Sequence, residues 1–127
     1  MGHRIVWVDI PVRDLDRAIA FYSAVIGATV TKEGGPGFSF GLLPHVGAEV
    51  GGCLYLPAEG DNAPSLQGPL VYLDADGRLD AATSAVRANG GAVLQDIHGI
   101  PPHGWRAIVR DSEGNRVALH ASRRGPE

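Results

Sequence analysis

The feature that most constrains the fold of this chain is an internal repeat, because five residues of the first half recur at matching positions in the second half. The matched pairs lie 64 positions apart and are Leu15 and Leu79, Asp16 and Asp80, Ala18 and Ala82, Gly27 and Gly91, and Ala28 and Ala92. In each half the leucine opens an amphipathic stretch, the glycine ends it and an apolar strand-like run follows. A duplication of this kind predicts two copies of one supersecondary unit packed on a shared core.

The first half predicts the order βαβββ. A run rich in β-branched residues at Ile5–Pro11 indicates a strand, and Asp14 is positioned to cap the helix that follows. Apolar residues then recur at helical spacing from Leu15 to Ile26, and Gly27 is expected at the left-handed position after the helix. Three more strands are predicted at Ala28–Lys32, Phe38–Leu43 and Val50–Leu56, with a loop at Gly34–Gly37 between the first two.

The second half repeats this plan after a polar linker. The stretch Pro57–Pro69 is rich in proline, glycine and acidic residues, which is typical of a connection. Its predicted elements are a strand at Leu70–Leu73, a helix at Arg78–Asn89, and strands at Ala92–Ile97, Trp105–Arg110 and Arg116–His120. The expected fold is α+β, with two tandem βαβββ modules at about 4–56 and 70–121 and a linker at about 57–69, within one domain spanning 1–127.

Composition narrows the range of partners. The net charge is −3 and the charged residues are dispersed along the chain, so we expect no nucleic acid and no membrane as partner. Cys53 is the only cysteine, which excludes an internal disulfide and a cysteine-rich zinc site. The short apolar start offers no signal sequence, and the cytoplasm is the expected compartment.

Two motifs resemble those of a known superfamily. The run Ile10–Gly27 contains an acidic helix start, Phe21-Tyr22, an apolar pair and glycine, and the run Arg106–His120 contains Asp111-Ser-Glu-Gly-Asn. Both are similar to the opening and the last hairpin of the vicinal oxygen chelate superfamily, of the glyoxalase, bleomycin resistance protein and dioxygenase type. Ser112 stands where a proline is usual there. The resemblance implies a half-barrel pair around a small-molecule cavity, and commonly a homodimer.

The resemblance also implies positions for metal ligands, and this chain lacks suitable side chains there. Metal-dependent members carry a His or Glu on the first, fourth, fifth and eighth strands. The matching positions here are Trp7, the window Gly51–Tyr55, a position at or near Leu70, and Ala118. We therefore predict no metal and no cofactor. A divalent site of another kind, drawing on His3, His45, His98 or His103, is left open.

Strand alternation predicts which side chains would line the cavity. Side chains two positions apart share a face, so the vacated positions predict an inward ring of Trp7, Asp9, Tyr72 and His120. Such a ring suits an aromatic-walled pocket with a few polar groups, in which Asp9 and His120 are the candidate catalytic acid/base pair. The alternative is that Trp7 and Tyr72 simply fill a collapsed core.

Other residues are weaker candidates for binding the ligand. Phe40 shares a face of its strand with Phe38 and is either core or pocket wall. Trp105 and Arg106 begin the seventh strand beside a proline-containing loop, where an arginine next to an aromatic ring would suit an anionic or planar ligand. Cys53 is expected to be a buried, inert thiol.

Three classes of function follow from these features. The first is a metal-independent binder that sequesters a hydrophobic or aromatic compound, as resistance proteins of the resembling family do. The second is an enzyme, acting either by metal-free acid/base chemistry of Asp9 and His120, or as a glyoxalase-like lyase, isomerase or dioxygenase with an unrecognised metal. The third, a structural partner domain, has the least support. The sequence does not decide whether the protein is an enzyme.

Overall fold

The computed structural model describes residues 4–47 and 49–125, so His3 lies outside the described residues. The first module contains β1 (Trp7–Pro11), α1 (Leu15–Ile26), β2 (Thr31–Gly35), β3 (Phe38–Leu42) and β4 (Gly51–Tyr55). The second contains β5 (Val71–Asp74), α2 (Leu79–Ala88), β6 (Ala92–Gly99), β7 (Trp105–Arg110) and β8 (Arg116–Ala121). The predicted α+β fold of two βαβββ modules is confirmed.

Each module forms one four-stranded sheet with the same topology. The strand orders are β1-β4-β3-β2 and β5-β8-β7-β6. The first strand of each module pairs in parallel with its last strand, and the other pairs are antiparallel. The chain can make this parallel pair because a helix and a hairpin separate the two strands. β1 and β5 are edge strands of their sheets, and residues of both border the same clefts.

Helix α1 begins and ends where its sequence predicts. The Asp14 side chain accepts a hydrogen bond from the backbone N–H of Arg17 at 3.0 Å, which satisfies one free donor of the first turn. Gly27 has a φ of 71°, the left-handed conformation that ends many helices. The buried stripe of the helix consists of Leu15, Ala18, Phe21, Tyr22 and Val25.

The second strand lies further along the chain than its composition predicts. We expected it at Ala28–Lys32, with a loop at Gly34–Gly37, but β2 spans Thr31–Gly35 and only Pro36 and Gly37 turn the chain. All residues of β2 are exposed, so no apolar alternation marks its position. Its register comes from pairing with β3.

The two modules share one core on the helix side of their sheets. Helix α1 contributes Phe21 and Tyr22, α2 contributes Leu79 and Val86, and the sheets contribute residues such as Leu119. Both helices therefore cover the same side of the molecule, and the other side of each sheet is left without a helix. Within the described residues, neither helix has the length and apolar character needed to cross a membrane.

Candidate functional site

We use the term open face for the side of each sheet opposite the helices. On β1, Val8 and Ile10 pack toward the core, so strand alternation places Trp7 and Asp9 on the open face. The same rule applies in the second module, where Leu73 and Leu119 belong to or pack against the core. Tyr72 on β5 and His120 on β8 consequently lie on the open face as well.

Trp7 lies on the open face of the first sheet in a restrained position. Its indole Nε1 donates a hydrogen bond to Oδ1 of Asp9 at 2.7 Å. The ring covers Gly51, its neighbour on β4, because a Cβ built on Gly51 would fall 2.8 Å from Cζ3 of the indole. Although it is held by these contacts, Trp7 remains 44% exposed. It therefore presents aromatic surface outward and does not fill a core.

Asp9 also binds the thiol of Cys53. The Sγ–H group donates to Oδ1 of Asp9 at 3.2 Å. Burial raises the pKa of the Cys53 thiol, Asp9 raises it further, and together they bring it to about 11 despite an opposing effect from Trp7. Cys53 is thus a protonated hydrogen-bond donor near neutral pH, which suits the expected inert thiol better than a nucleophile.

The open face of the second sheet carries a row of four polar side chains. Asp74 on β5 is paired with His120 on β8, His120 with Arg106 on β7, and Arg106 with His98 on β6. These four residues, one from each strand, therefore form a line across the whole sheet. We call this set the polar row. Tyr72 lies next to it on β5, two residues before Asp74.

Hydrogen bonds connect part of the polar row to Tyr72. Nε of Arg106 donates to Nε2 of His98 at 3.0 Å, and Nη1 of Arg106 donates to the hydroxyl of Tyr72. The other ring nitrogen of His98 lies 2.8 Å from the carbonyl oxygen of Asp96. Because a carbonyl only accepts, His98 carries its proton on Nδ1 and is neutral in this arrangement. The guanidinium is thereby oriented by groups that carry no opposing charge.

The structure does not join the two candidate catalytic residues. Within residues 4–47 and 49–125, no hydrogen bond or ion pair connects Asp9 with His120. Instead, Nε2 of His120 donates to the carbonyl oxygen of His103 at 2.6 Å. The tautomer of His120 is set by this carbonyl and not by a carboxylate.

The two remaining aromatic candidates lie on different faces. Phe40 stands opposite Tyr55 on the open face of the first sheet, and its ring is stacked parallel to that of Phe38 with centroids 6.4 Å apart. Trp105 pairs with Ala121 on the helix side of β7, and the guanidinium of Arg124 covers its ring at 5.4 Å. Trp105 therefore lies away from Tyr72 and Arg106.

Two clefts flank the edges where the modules meet. A largely apolar cleft of about 360 Å³ lies between β1 and β5 and is bordered by Val8, Ile10, Leu73 and Tyr72. A second, of about 320 Å³, is bordered by Asp9, the linker and Arg116. Tyr72 and Asp9 are the predicted ligand residues that border these clefts. The volumes are within the range of small-molecule sites.

The side chains present do not fit the divalent metal that the fold family implies. Trp7 and Ala118 offer no ligand atom, and Leu70 is apolar. β4 carries no His, Asp or Glu, and the thiol of its cysteine, Cys53, is held in the protonated form. Within the described ranges, no group of three or more His, Cys, Asp or Glu side chains is placed to hold a metal ion.

Sequence reasoning missed half of the polar row. Asp74 was not named, and His98 was named only for the metal site left open, because the predicted strands ended at Leu73 and Ile97, whereas β5 and β6 continue to Asp74 and Gly99. The position of Asp74 could have been predicted from the sequence, because continuing the two-residue alternation of β5 from Tyr72 reaches Asp74.

The chain belongs to the Glyoxalase/Bleomycin resistance protein/Dioxygenase superfamily, whose family model matches residues 4–119. A relative described as "Putative glyoxylase CFP32" from Mycobacterium tuberculosis is 33% identical over 111 residues, which are 87% of this chain and 41% of that protein. This chain therefore spans less than half the length of that relative.

Solved structures show the same fold. A glyoxalase/bleomycin resistance protein from Albidiferax ferrireducens superimposes with a TM-score of 0.73 at 22% identity, covering 94% of this chain and 98% of the other. A second protein of that description, from a Streptomyces species, gives a TM-score of 0.68 at 24% identity, covering 91% and 98%. At these identities the likeness establishes the fold alone.

Proposed function

We propose that this protein binds a planar, largely apolar small molecule on the open faces of its sheets, without a divalent metal. The observation that carries this proposal is the state of Trp7 and Tyr72, which are 44% and 46% exposed and yet held by hydrogen bonds to Asp9 and Arg106. An aromatic ring fixed in this way can stack on a ligand without losing much conformational freedom on binding.

The polar groups beside each ring support selective recognition. Asp9 and Cys53 lie next to Trp7, and Arg106 lies next to Tyr72, so each aromatic surface adjoins a small number of hydrogen-bonding groups. Apolar walls with few polar groups are the usual composition of a small-molecule site. The metal-independent mode of binding rests on the side chains at Trp7 and Ala118, which supply no ligand atom.

Acid/base catalysis by Asp9 and His120 is less well supported. Each is engaged with other groups, Asp9 with Trp7 and Cys53, and His120 with the carbonyl of His103. A general base has to be within hydrogen-bond reach of its partner or of the substrate proton. We therefore favour binding over turnover.

Tryptophan fluorescence tests this proposal directly. Trp7 and Trp105 are the two tryptophans of the chain, so the variant Trp105→Phe reports on Trp7 alone. A panel of planar aromatic compounds is titrated into this variant with a chelator present, and native mass spectrometry identifies compounds that co-purify with the wild type. We expect saturable quenching of the Trp105→Phe variant by at least one compound. Native mass spectrometry should show weaker binding of that compound to Trp7→Ala and unchanged binding to Leu66→Ala, at an exposed residue of the linker. A requirement for added metal would contradict the proposal.

A homodimer is the assembly we propose from family membership. Apolar side chains near the start of β1 and in the loop before β4 are strongly exposed, at 65% for Ile5, 71% for Val6 and 76% for Val46. A second copy would cover this apolar surface. Light scattering coupled to size-exclusion chromatography should give twice the mass of one chain, and Val46→Glu should shift the measured mass toward that of a single chain.

For the compartment we propose the cytoplasm, where the unpaired thiol of Cys53 would stay reduced.

A further inference from the structure

We propose that Arg106 and Tyr72 form an anchor for the oxyanion of the ligand, so that the bound molecule is an aromatic acid or a phosphate ester. This inference rests on the binding function proposed above, because it adds a charged group to a ligand that already lies against Tyr72. It concerns the second sheet alone and does not involve Trp7 or Asp9.

The charge of Arg106 is the first reason. Its side chain is partly buried, and the groups that it contacts, His98 and Tyr72, are neutral. Within the described ranges, the ion pairs of the protein join Arg17 to Glu113, Lys32 to Asp16 and Arg124 to Asp80, and none includes Arg106. A partly desolvated cation without a carboxylate partner attracts an anion from solution.

The direction of the hydrogen bonds is the second reason. The Tyr72 hydroxyl accepts from Nη1 of Arg106, which leaves the hydroxyl proton available to donate to another group. In the described part of the chain, Nη2 of Arg106 has no acceptor. Donors from an arginine and a tyrosine that touch one another can meet the two oxygens of one carboxylate or phosphate.

The orientation of the guanidinium is the third reason. Nε of Arg106 is held by Nε2 of His98, and His98 is held in turn by the carbonyl of Asp96. This chain of contacts turns the Nη groups away from β6 and toward Tyr72. An arginine that is oriented in advance loses little side-chain entropy when the anion arrives.

The other charged group of the polar row lies at its far end. Asp74 is on β5, separated from Arg106 by His120 on β8, and its Oδ1 accepts a hydrogen bond from the backbone N–H of Asp76 at 2.9 Å. The row is therefore basic at the Arg106 side and acidic at the β5 edge. An anion should therefore prefer the guanidinium of Arg106, where the Tyr72 hydroxyl reaches it, to the β5 edge itself.

Binding of three small probes tests this inference. Benzoate, phenyl phosphate and the neutral isostere benzamide are titrated into isotopically labelled protein, and dissociation constants are measured from NMR shifts. The variants are Arg106→Gln and, as a matched control, Arg110→Gln, which removes the same charge from the same face of β7 roughly 13 Å further along the strand. Circular dichroism and thermal unfolding establish that each variant is folded.

We expect benzoate or phenyl phosphate to bind more tightly than benzamide. Arg106→Gln should weaken the anionic probe by at least about tenfold, as is usual for a lost charged hydrogen bond, and should leave benzamide unchanged. Arg110→Gln should stay within about twofold of wild type for all probes. The anionic probe that binds more tightly identifies the ligand as an acid or a phosphate ester.

Two results would separate the failure of this inference from that of the binding function. If benzamide and the anionic probes bind equally well, and Arg106→Gln changes neither, the anion anchor is wrong and the aromatic site stands. If no probe binds to any variant, both are wrong for this face. Should Arg106→Gln fail to fold, Tyr72→Phe takes its place, because it removes the donor hydroxyl and keeps the ring; unchanged benzoate and phenyl phosphate affinities in that variant would overturn the anchor.

Discussion

The carboxylate of Glu113 accepts hydrogen bonds from Nε of Arg17 at 2.8 Å and from Nη2 of the same residue at 2.9 Å. Glu113 belongs to the last hairpin of the second module, and Arg17 lies on the first helix of the first module. The same carboxylate also accepts the backbone N–H groups of Arg13 and Asp14. This single side chain therefore joins the two modules at the start of α1.

Acid should weaken the junction that Glu113 makes. Burial by itself would raise the pKa of this carboxyl, but the bonds from Arg17, Ser112 and the backbone outweigh burial and lower the pKa to about 2 from its ordinary 4.5. Since the folded pKa is the lower one, the group stabilises the protein above about pH 4.5, and this contribution is lost as the pH falls toward 2. Its size is on the order of 3 kcal/mol.

Urea unfolding at a series of pH values measures this effect. The free energy of unfolding of the wild type should fall steeply below about pH 4.5, whereas that of Glu113→Gln should start lower and fall less. Glu33→Gln, at an exposed position on β2, is the control and should follow the wild type. Parallel curves for wild type and Glu113→Gln would show that another carboxylate controls acid unfolding.

Removing the hydroxyl of Tyr22 should cost stability. Tyr22 is fully buried and donates to Oδ2 of Asp111, and burial, followed by the charge of Asp111, raises its pKa well above 10. Tyr22→Phe leaves this buried carboxylate oxygen with one fewer donor, and we expect a loss of about 1–3 kcal/mol in the free energy of unfolding. Tyr55→Phe, on a half-buried residue of β4, should change it much less. An equal loss of unfolding free energy in both variants would show that the contact with Asp111 adds nothing to stability.

A side chain at position 51 should displace Trp7. The Cβ of Gly51→Ala would lie 2.8 Å from the indole, so the ring has to leave its place over β4. In the Trp105→Phe background, emission from Trp7 should shift to longer wavelength and quenching by the aromatic ligand should weaken. Gly125→Ala is the control, because a Cβ there meets no atom within 4 Å. Emission unchanged by Gly51→Ala would indicate that the indole does not lie over Gly51.

The reactivity of Cys53 should depend on Asp9. With a pKa of about 11, the thiol is almost entirely protonated near neutral pH, and alkylation by iodoacetamide should be slow. Asp9→Asn removes the charge that helps to raise this pKa and should speed alkylation several-fold at pH 8.5, as measured by mass spectrometry. Asp16→Asn, an exposed carboxylate on α1, should leave the rate unchanged. An Asp9→Asn rate equal to the wild-type rate would mean that burial alone protects the thiol.

Local sequence predicted the elements that are specified by local forces. The bounds of α1 follow from the Asp14 cap and the left-handed Gly27, and both are confirmed. The predicted β7, Trp105–Arg110, is confirmed as well. By contrast, β2 has no buried residue, so its position depends on a partner strand that the local sequence does not reveal.

The candidate site was predictable in part for the same reason. Strand alternation correctly put Trp7 and Asp9 on one face of β1, and the structure exposes Trp7 and Tyr72 to solvent. That these two residues form one inward ring with Asp9 and His120 stays a prediction. Strand alternation did not reveal that Asp9 binds Cys53, or that Arg106 is held between His98 and Tyr72. The contacts of Asp9 with Cys53 and of Arg106 with Tyr72 join strands that are distant in the chain. The contact of Arg106 with His98 joins consecutive strands, but the register of β6 shifts before His98. Register between strands is set by pairing and not by local composition.

The sequence by itself determined the repeat, the order of elements in each module and the face on which each strand residue lies, because these depend on short-range periodicity and end-capping. Only the tertiary structure decided which polar groups meet. It buried the side chain of Glu113, from the loop of the last hairpin, against the helix start of the other module. It also left Arg106 paired with neutral groups. The first outcome depends on how the two modules pack against each other, and the second on how the strands of one sheet are paired.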